Sequence, residues 1–486
     1  MKTSDLLARG LGAGALAGLA GGLISGAALS RVGALPPTAS LVRADAAVAG
    51  FVVHVLIAVA LGAGFGLLVW YQRSGAGETL FWGLTYGALW WFLGPLTLMS
   101  LLLLGFLAWD VHSAQEALPS LIGYLLYGGV TGLALALLRR DRGETAPGSL
   151  WGVVGRGALV GLVAAWLLGI LLDAQGQLHA FSTVMVGPAR SAAWIATLLI
   201  GVAAGAGYAL LYPRPPEGTG PGLVRGTVYG FFWWIIGPLT VLPLASAGKL
   251  AWSLEAARAG FPALPAFLLF GAALAVGYQW LDGLVRVLFS DLVAAVDREG
   301  LGTEGLRAIG RGALAGLVGG TLFTLVMIQI GALGAFARLI GSASSLAGLV
   351  VQVVIADLIG VSYGLLFRRQ SYDVGSALGW GLSYGFFWWI LGPLTLQPLF
   401  LGTAPRWTAE VAAGLFPSLI GHLAFGAGLG VVFHLLEARH NPWWVPRSRM
   451  EAARVTRRKE QVLTSAPALW TLVVAIALVL PIILGM

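Results

Sequence analysis

The chain has 486 residues, 58% of them hydrophobic and 10% charged, with a net charge of +8 and a mean hydropathy of +0.86. Soluble globular chains carry roughly 25% charged residues, so water is excluded as the main solvent, and apolar stretches of the ~20 residues that cross a bilayer recur throughout. Cysteine is absent, which excludes disulfides, Cys-ligated zinc, iron–sulfur clusters and thioether-attached haem.

The first segment imitates a secretory signal, with Lys2, an apolar run and small residues near Ser30. However, the stretch from Ala15 to Gly22 recurs from Ala313 to Gly320. A segment repeated inside the chain reads as structure, and we expect it to be retained. The predicted spans in chain order are 10–29, 47–70, 80–105 and 118–138, then 155–172, 191–212, 223–246 and 262–281, then 309–331, 346–367, 377–402 and 416–436, with a final span at 468–485.

These spans form three copies of a four-span unit. Tyr-Gly-Ala-Leu-Trp-Trp-Phe-Leu-Gly-Pro-Leu-Thr at 86–97 recurs at 229–240 and 384–395 with eight of twelve positions identical in all three. The offsets of 143 and 155 residues also relate Ala15, Ala158 and Ala313, and Pro119, Pro262 and Pro417. The expected fold is therefore an all-α polytopic membrane protein: three tandem four-helix units plus a C-terminal transmembrane helix, 13 spans in all. The expected domains are 1–142 (unit 1), 143–281 (unit 2), 282–308 (an interfacial amphipathic linker), 309–437 (unit 3), 438–467 (a basic cytoplasmic segment) and 468–486 (the terminal helix). An even number of spans per unit makes the repeats parallel. They would either close around an axis along the membrane normal or form an open row.

Charge sets the orientation. With the N-terminus in the cytoplasm, 22 of the 29 Lys and Arg residues fall inside, as the positive-inside bias requires. The C-terminus then lies outside. The positive charge is thus assigned to topology, and no nucleic-acid partner is expected. In the linker, Leu284, Leu288, Leu292 and Val296 form one stripe, which suits a helix lying in the interface. The basic stretch 439–459 either anchors the topology or also contacts anionic lipid.

In each third span Gly83 and Gly87, Gly226 and Gly230, and Gly381 and Gly385 form GxxxG pairs for close helix packing. Pro95, Pro238 and Pro393 leave the carbonyls of Trp91, Trp234 and Trp389 without their amides, and Thr97, Thr240 and Thr395 bring hydroxyls nearby. Either the motif is a kinked packing device, or these nine residues line a central pathway or ligand site. Trp so deep in a span needs a protein partner for its N–H or a polar cavity.

Asp357 is the one carboxylate deep in a span, and its equivalents are Val59 and Val202. A central Asp costs about 2.5–3.5 kcal/mol on insertion scales. It is read either as an ion or proton site or as a hydrogen-bonded structural acid. His54, Thr197 and Gln352 are equivalent in second spans, and Tyr124, Phe267 and His422 in fourth spans. Similar depth predicts contact of His54 with Tyr124 and of Gln352 with His422. If the copies close into a ring, His54 and His422 would flank a b-type haem; no other cofactor and no metal site is predicted.

No HExxH, nucleophile elbow or CxxC is present, and Gly218-Thr219-Gly220-Pro221-Gly222 lacks the flanking strand of a phosphate loop. Enzymatic chemistry is therefore not expected. His422-Leu423-Ala424-Phe425-Gly426 with Gly430 resembles the last span of small bacterial four-helix membrane protein families of unknown function. The resemblance implies the fold of each unit and a bacterial plasma membrane, and it implies no activity; copies 1 and 2 depart from it at the His position. The leading functional expectation is a transporter or channel-like protein. The alternatives are a non-catalytic scaffold or accessory subunit of a membrane complex, and a haem protein.

Overall fold

The computed structural model describes residues 3–72, 74–139, 149–184, 189–213, 218–289, 301–370, 372–440 and 447–485. Every regular element among them is helical. The long helices are α1 (Thr3–Arg31), α2 (Ala47–Val69), α3 (Ala76–Leu93), α4 (Leu118–Leu138), α5 (Leu150–Ala174), α6 (Arg190–Leu211), α7 (Thr219–Ile236), α8 (Leu264–Phe289), α9 (Leu301–Gln329), α10 (Ser345–Phe367), α11 (Val374–Leu391), α12 (Phe416–Ala438), α13 (Arg447–Thr464) and α14 (Ala466–Ile483).

Among the described residues, 12 helices are long and apolar enough to cross a membrane. α11 is not one of them, because four Gly, three Trp, two Ser and a Tyr hold down its mean hydropathy. Residues 282–289 continue α8 and 301–308 open α9, so both ends of the expected linker belong to long helices. Residues 290–300, with Leu292 and Val296 of the expected stripe, lie outside the described residues.

The chain divides into two compact units. The first comprises Met1–Pro215, Gly226–Tyr278 and Leu463–Met486, and the second Pro216–Arg225 and Gln279–Val462. In the first unit α1 lies against both α2 and α4, while α2 and α4 barely touch. Glycine permits this approach: a Cβ on Gly62 would sit 2.5 Å from the Gly14 carbonyl oxygen. α3 meets α4 backbone to backbone, because Gly83 and Gly87 face the carbonyls of Gly128 and Tyr124. Gly226 and Gly230 of α7 face Gly271 and Phe267 of α8 in the same way. α14 docks on α3, where the Thr471 hydroxyl donates to the Phe81 carbonyl at 3.0 Å and Gln115 donates to the Pro481 carbonyl at 2.9 Å.

The interior of the first unit holds an apolar void of about 20 Å³, lined by Leu121, Leu125, Trp234, Leu239, Leu478 and Ile482, among other residues, which leaves room for about one water-sized sphere. In the second unit α9 packs on α10 and α12, and α11 packs on α12. Here Gly381 and Gly385 face the carbonyls of Gly426 and His422.

These contacts separate two kinds of glycine. Gly381→Ala is expected to lower stability by about 1–3 kcal/mol through overpacking. A Cβ on Gly310 would meet nothing within 4 Å, so Gly310→Ala should stabilise by up to about 1 kcal/mol through helix propensity. Thermal unfolding in detergent distinguishes the two; equal shifts would refute the assignment.

Candidate functional site

Each third span bends at its Gly-Pro pair. The helix passes into a π turn at Gly94–Met99, at Gly237–Val241 and at Gly392–Leu396. Proline has no amide to give the carbonyl four residues back. A π turn pairs amides with the carbonyl five residues back, as the amides of Leu242 and Gln397 pair with the carbonyls of Gly237 and Gly392. The hydroxyls of Thr97, Thr240 and Thr395 donate to the carbonyls of Phe92, Ile235 and Ile390 at 2.8, 2.9 and 2.8 Å. The threonine hydroxyls on which a pathway reading drew are therefore taken up within their own helix.

The second Trp of each pair is buried, and its N–H reaches the start of the fourth span. Trp91 donates to the Ala117 carbonyl and the Ser120 hydroxyl, both at 3.1 Å. Trp234 donates to the Gly260 carbonyl at 2.8 Å. Trp389 donates to the Leu415 carbonyl at 3.1 Å and the Ser418 hydroxyl at 3.2 Å. The first Trp behaves differently. The Trp90 and Trp388 N–H groups make no hydrogen bond of good geometry; each lies near a tyrosine hydroxyl, that of Tyr86 or Tyr384, whose ring it meets edge-on at 6.1 Å. Those tyrosines tie the third span to the second. Tyr86 donates to the Leu61 carbonyl at 2.9 Å and Tyr229 to the Ala204 carbonyl at 2.8 Å. Tyr384 pairs with the Ser362 hydroxyl at 2.7 Å, and Ser362 donates to the Ile359 carbonyl at 2.8 Å.

Sequence reasoning missed a third tryptophan. Trp109 and Trp252 donate to the hydroxyls of Thr97 and Thr240, each at 3.0 Å, and Trp407 donates to the Leu394 carbonyl at 3.0 Å. The next residue in each copy, Asp110, Ser253 or Thr408, caps a short helix by accepting the amide of Ser113, Ala256 or Val411. The Ser113 hydroxyl and amide hold the Asp110 carboxyl below its usual range. The signal was present: a Trp followed by a capping residue recurs at the repeat offsets, ten residues before Pro119, Pro262 and Pro417.

The intramembrane polar pairs are corrected by the packing. His54 Nε2 hydrogen-bonds Ser25 of α1 at 3.0 Å. Gln352 donates to the Gly320 carbonyl at 3.3 Å and accepts from the Thr324 hydroxyl at 2.8 Å, both on α9. The second span thus spends its polar side chain on the first span, which in copy 1 lies between spans 2 and 4. Fourth-span residues face the π turn instead. A Cβ on Gly94 would approach the Tyr124 hydroxyl to 3.0 Å, one on Gly237 the Phe267 ring to 3.6 Å, and one on Gly392 the His422 Nε2 to 3.8 Å. His422 Nδ1–H donates to the Ser418 carbonyl at 2.7 Å, so Ser418 gathers Trp389 and His422 at the copy 3 bend. Phe323 meets the His422 ring edge-on at 4.8 Å. Among the described residues, no three or more His, Cys, Asp or Glu lie together as metal ligands.

Asp357 is half-buried and makes no hydrogen bond or ion pair with any described residue. Its backbone lies against α9, where a Cβ on Gly316 would sit 3.4 Å from the Asp357 Cα. Within the basic segment 439–459, Arg454 donates to the carbonyls of Ala438 and His440 at 3.0 and 3.1 Å, and Arg458 pairs with Asp373 at 3.0 Å. Lys459 stays exposed, and residues 441–446 lie outside the described residues.

The number and apolarity of these helices define an integral membrane protein in contact with the lipid bilayer. No protein-family model matches the chain, and neither a curated protein nor a solved structure matches it.

The paired tryptophans give an internal control. Trp389→Phe removes a well-formed donor, whereas Trp388→Phe removes one that only lies near the Tyr384 hydroxyl without hydrogen-bond geometry. The first is expected to cost about 0.6–1.7 kcal/mol more than the second, the range for hydrogen bonds within membranes. Equal losses in thermal unfolding would refute the assignment.

Proposed function

We propose that the chain is a thirteen-span scaffold, three parallel four-helix repeats and a terminal helix, that serves as a non-catalytic subunit of a membrane complex. The observation that supports this reading is the self-sufficiency of the repeated motif. In all three copies the second Trp, the Tyr and the Thr find their partners within the same copy. A conduction route needs polar groups turned toward what passes, and the repeated groups are turned inward. The apolar void of the first unit agrees with a packed interior.

A second reading, a permeation protein, draws on Asp357 alone. An unpaired carboxylate within a span is by default a candidate ion or proton site. In either reading the N-terminus lies in the cytoplasm of a bacterial cell and the C-terminus outside, and exposed Lys459 is free to meet anionic lipid.

Two measurements test these readings. The absence of native cysteine lets single cysteines report topology: a membrane-impermeant maleimide should label His112→Cys in intact cells and Ser448→Cys only after permeabilisation. The reverse pattern would overturn the orientation. In reconstituted vesicles, proton and alkali-cation flux should not exceed the lipid blank. Flux abolished by Asp357→Asn would overturn the scaffold reading in favour of permeation.

A further inference from the structure

The three copies supply their own control for Asp357. The equivalent positions Val59 and Val202 are half-exposed, as Asp357 is. The site is therefore a lipid-edge position in every copy, where Val is at home and a carboxylate is not. On α10 the surrounding stripe is apolar and open: Leu346 is 70% exposed, Val350 57%, Val354 53% and Leu358 63%. These residues fall at helical spacing on one face with Asp357. Gln352, on the opposite side, is buried against α9, and so is Gly360, the next turn from Asp357, which sets the carboxylate at the edge of the open face.

We propose that this face of α10 docks a transmembrane helix of another protein that carries a Lys or Arg at mid-membrane depth, with Asp357 as its counter-charge. The inference rests on the scaffold reading and names the partner class. Charge complementarity selects the occupant. Acyl chains offer the carboxylate no donor, and no described side chain of this chain reaches it. A second copy docked on the same face would set two like charges against each other, an unfavourable juxtaposition. A basic side chain on an apolar helix satisfies the carboxylate and covers the stripe at once.

The test uses the full chain in phosphatidylcholine vesicles, with Leu358→Cys as its single cysteine. The probes are Leu-rich transmembrane peptides of about 20 residues with a central Lys, Leu or Glu, each bearing a cysteine one turn away. The Lys peptide should cross-link about tenfold more than the Leu peptide, a difference of about 1.4 kcal/mol. Asp357→Asn, nearly isosteric, should reduce the Lys peptide to the level of the Leu peptide, and Asp357→Lys should transfer the preference to the Glu peptide. If Asp357→Lys fails to insert, the Asn variant carries the test alone. Equal cross-linking of the Lys and Leu peptides, or no effect of Asp357→Asn, would overturn the proposal. So would efficient Leu358→Cys homodimerisation without peptide, since the occupant would then be a second copy. Loss of peptide selectivity with flux still at the blank would sink the docking site and leave the scaffold reading standing. Asp357-dependent flux would sink both.

Discussion

A proline in mid-membrane removes one amide and strands one carbonyl, and the acyl chains around it offer no replacement. Whatever else the sequence does there, it must repair that loss from its own groups. The three Gly-Pro bends are repaired alike. The helix passes into a π turn at the Gly-Pro pair. Thr donates to the following carbonyl. A Trp from the following loop closes the turn, through the Thr hydroxyl in two copies and the Leu394 carbonyl in the third. The glycine before proline leaves room for the fourth span, whose Tyr124, Phe267 or His422 lies over it. Among the fixed residues of the repeat, the Gly-Pro pair and Thr serve the bend, and the others join the spans. The variable ones sit where the bend makes no demand.

That division indicates where function can reside. Trp91, Trp234 and Trp389 hold the third span to the start of the fourth, and Tyr86, Tyr229 and Tyr384 hold it to the second. These bonds join the spans of each copy, and the glycine contacts let its helices approach closely. Among the places where copy 3 differs from the other two are His422 at the bend and half-exposed Asp357 on α10. Neither residue is needed to build the fold, since Tyr, Phe and Val fill the equivalent places. His422 is drawn into the joint through Ser418, whereas Asp357 is left without a partner among the described residues.

Much of the fold was legible because its signals are local. Apolar runs of spanning length, the offsets of 143 and 155 residues and the GxxxG pairs could all be read directly. The need of mid-span Trp for a partner also followed from elementary chemistry. Its acceptors at Ala117, Gly260 and Leu415 did not, because they lie 26 residues further on, across a loop. The polar pairing failed for a similar reason. Depth can be counted along a helix, but which helix lies between two others cannot, and in copy 1 the first span separates the second from the fourth. The π register was hidden because proline forecasts a lost hydrogen bond without saying how the backbone recovers it. Asp357 stood out in the sequence, and its unpaired state is a matter of packing.

The bend can be tested at a single hydroxyl. Thr240 both donates to the Ile235 carbonyl and accepts from Trp252, so Thr240→Val, which keeps the shape and removes the hydroxyl, should lower the thermal unfolding temperature, while Thr240→Ser should retain most of it. A Thr240→Val protein as stable as the parent would contradict the central claim that side chains close the bend.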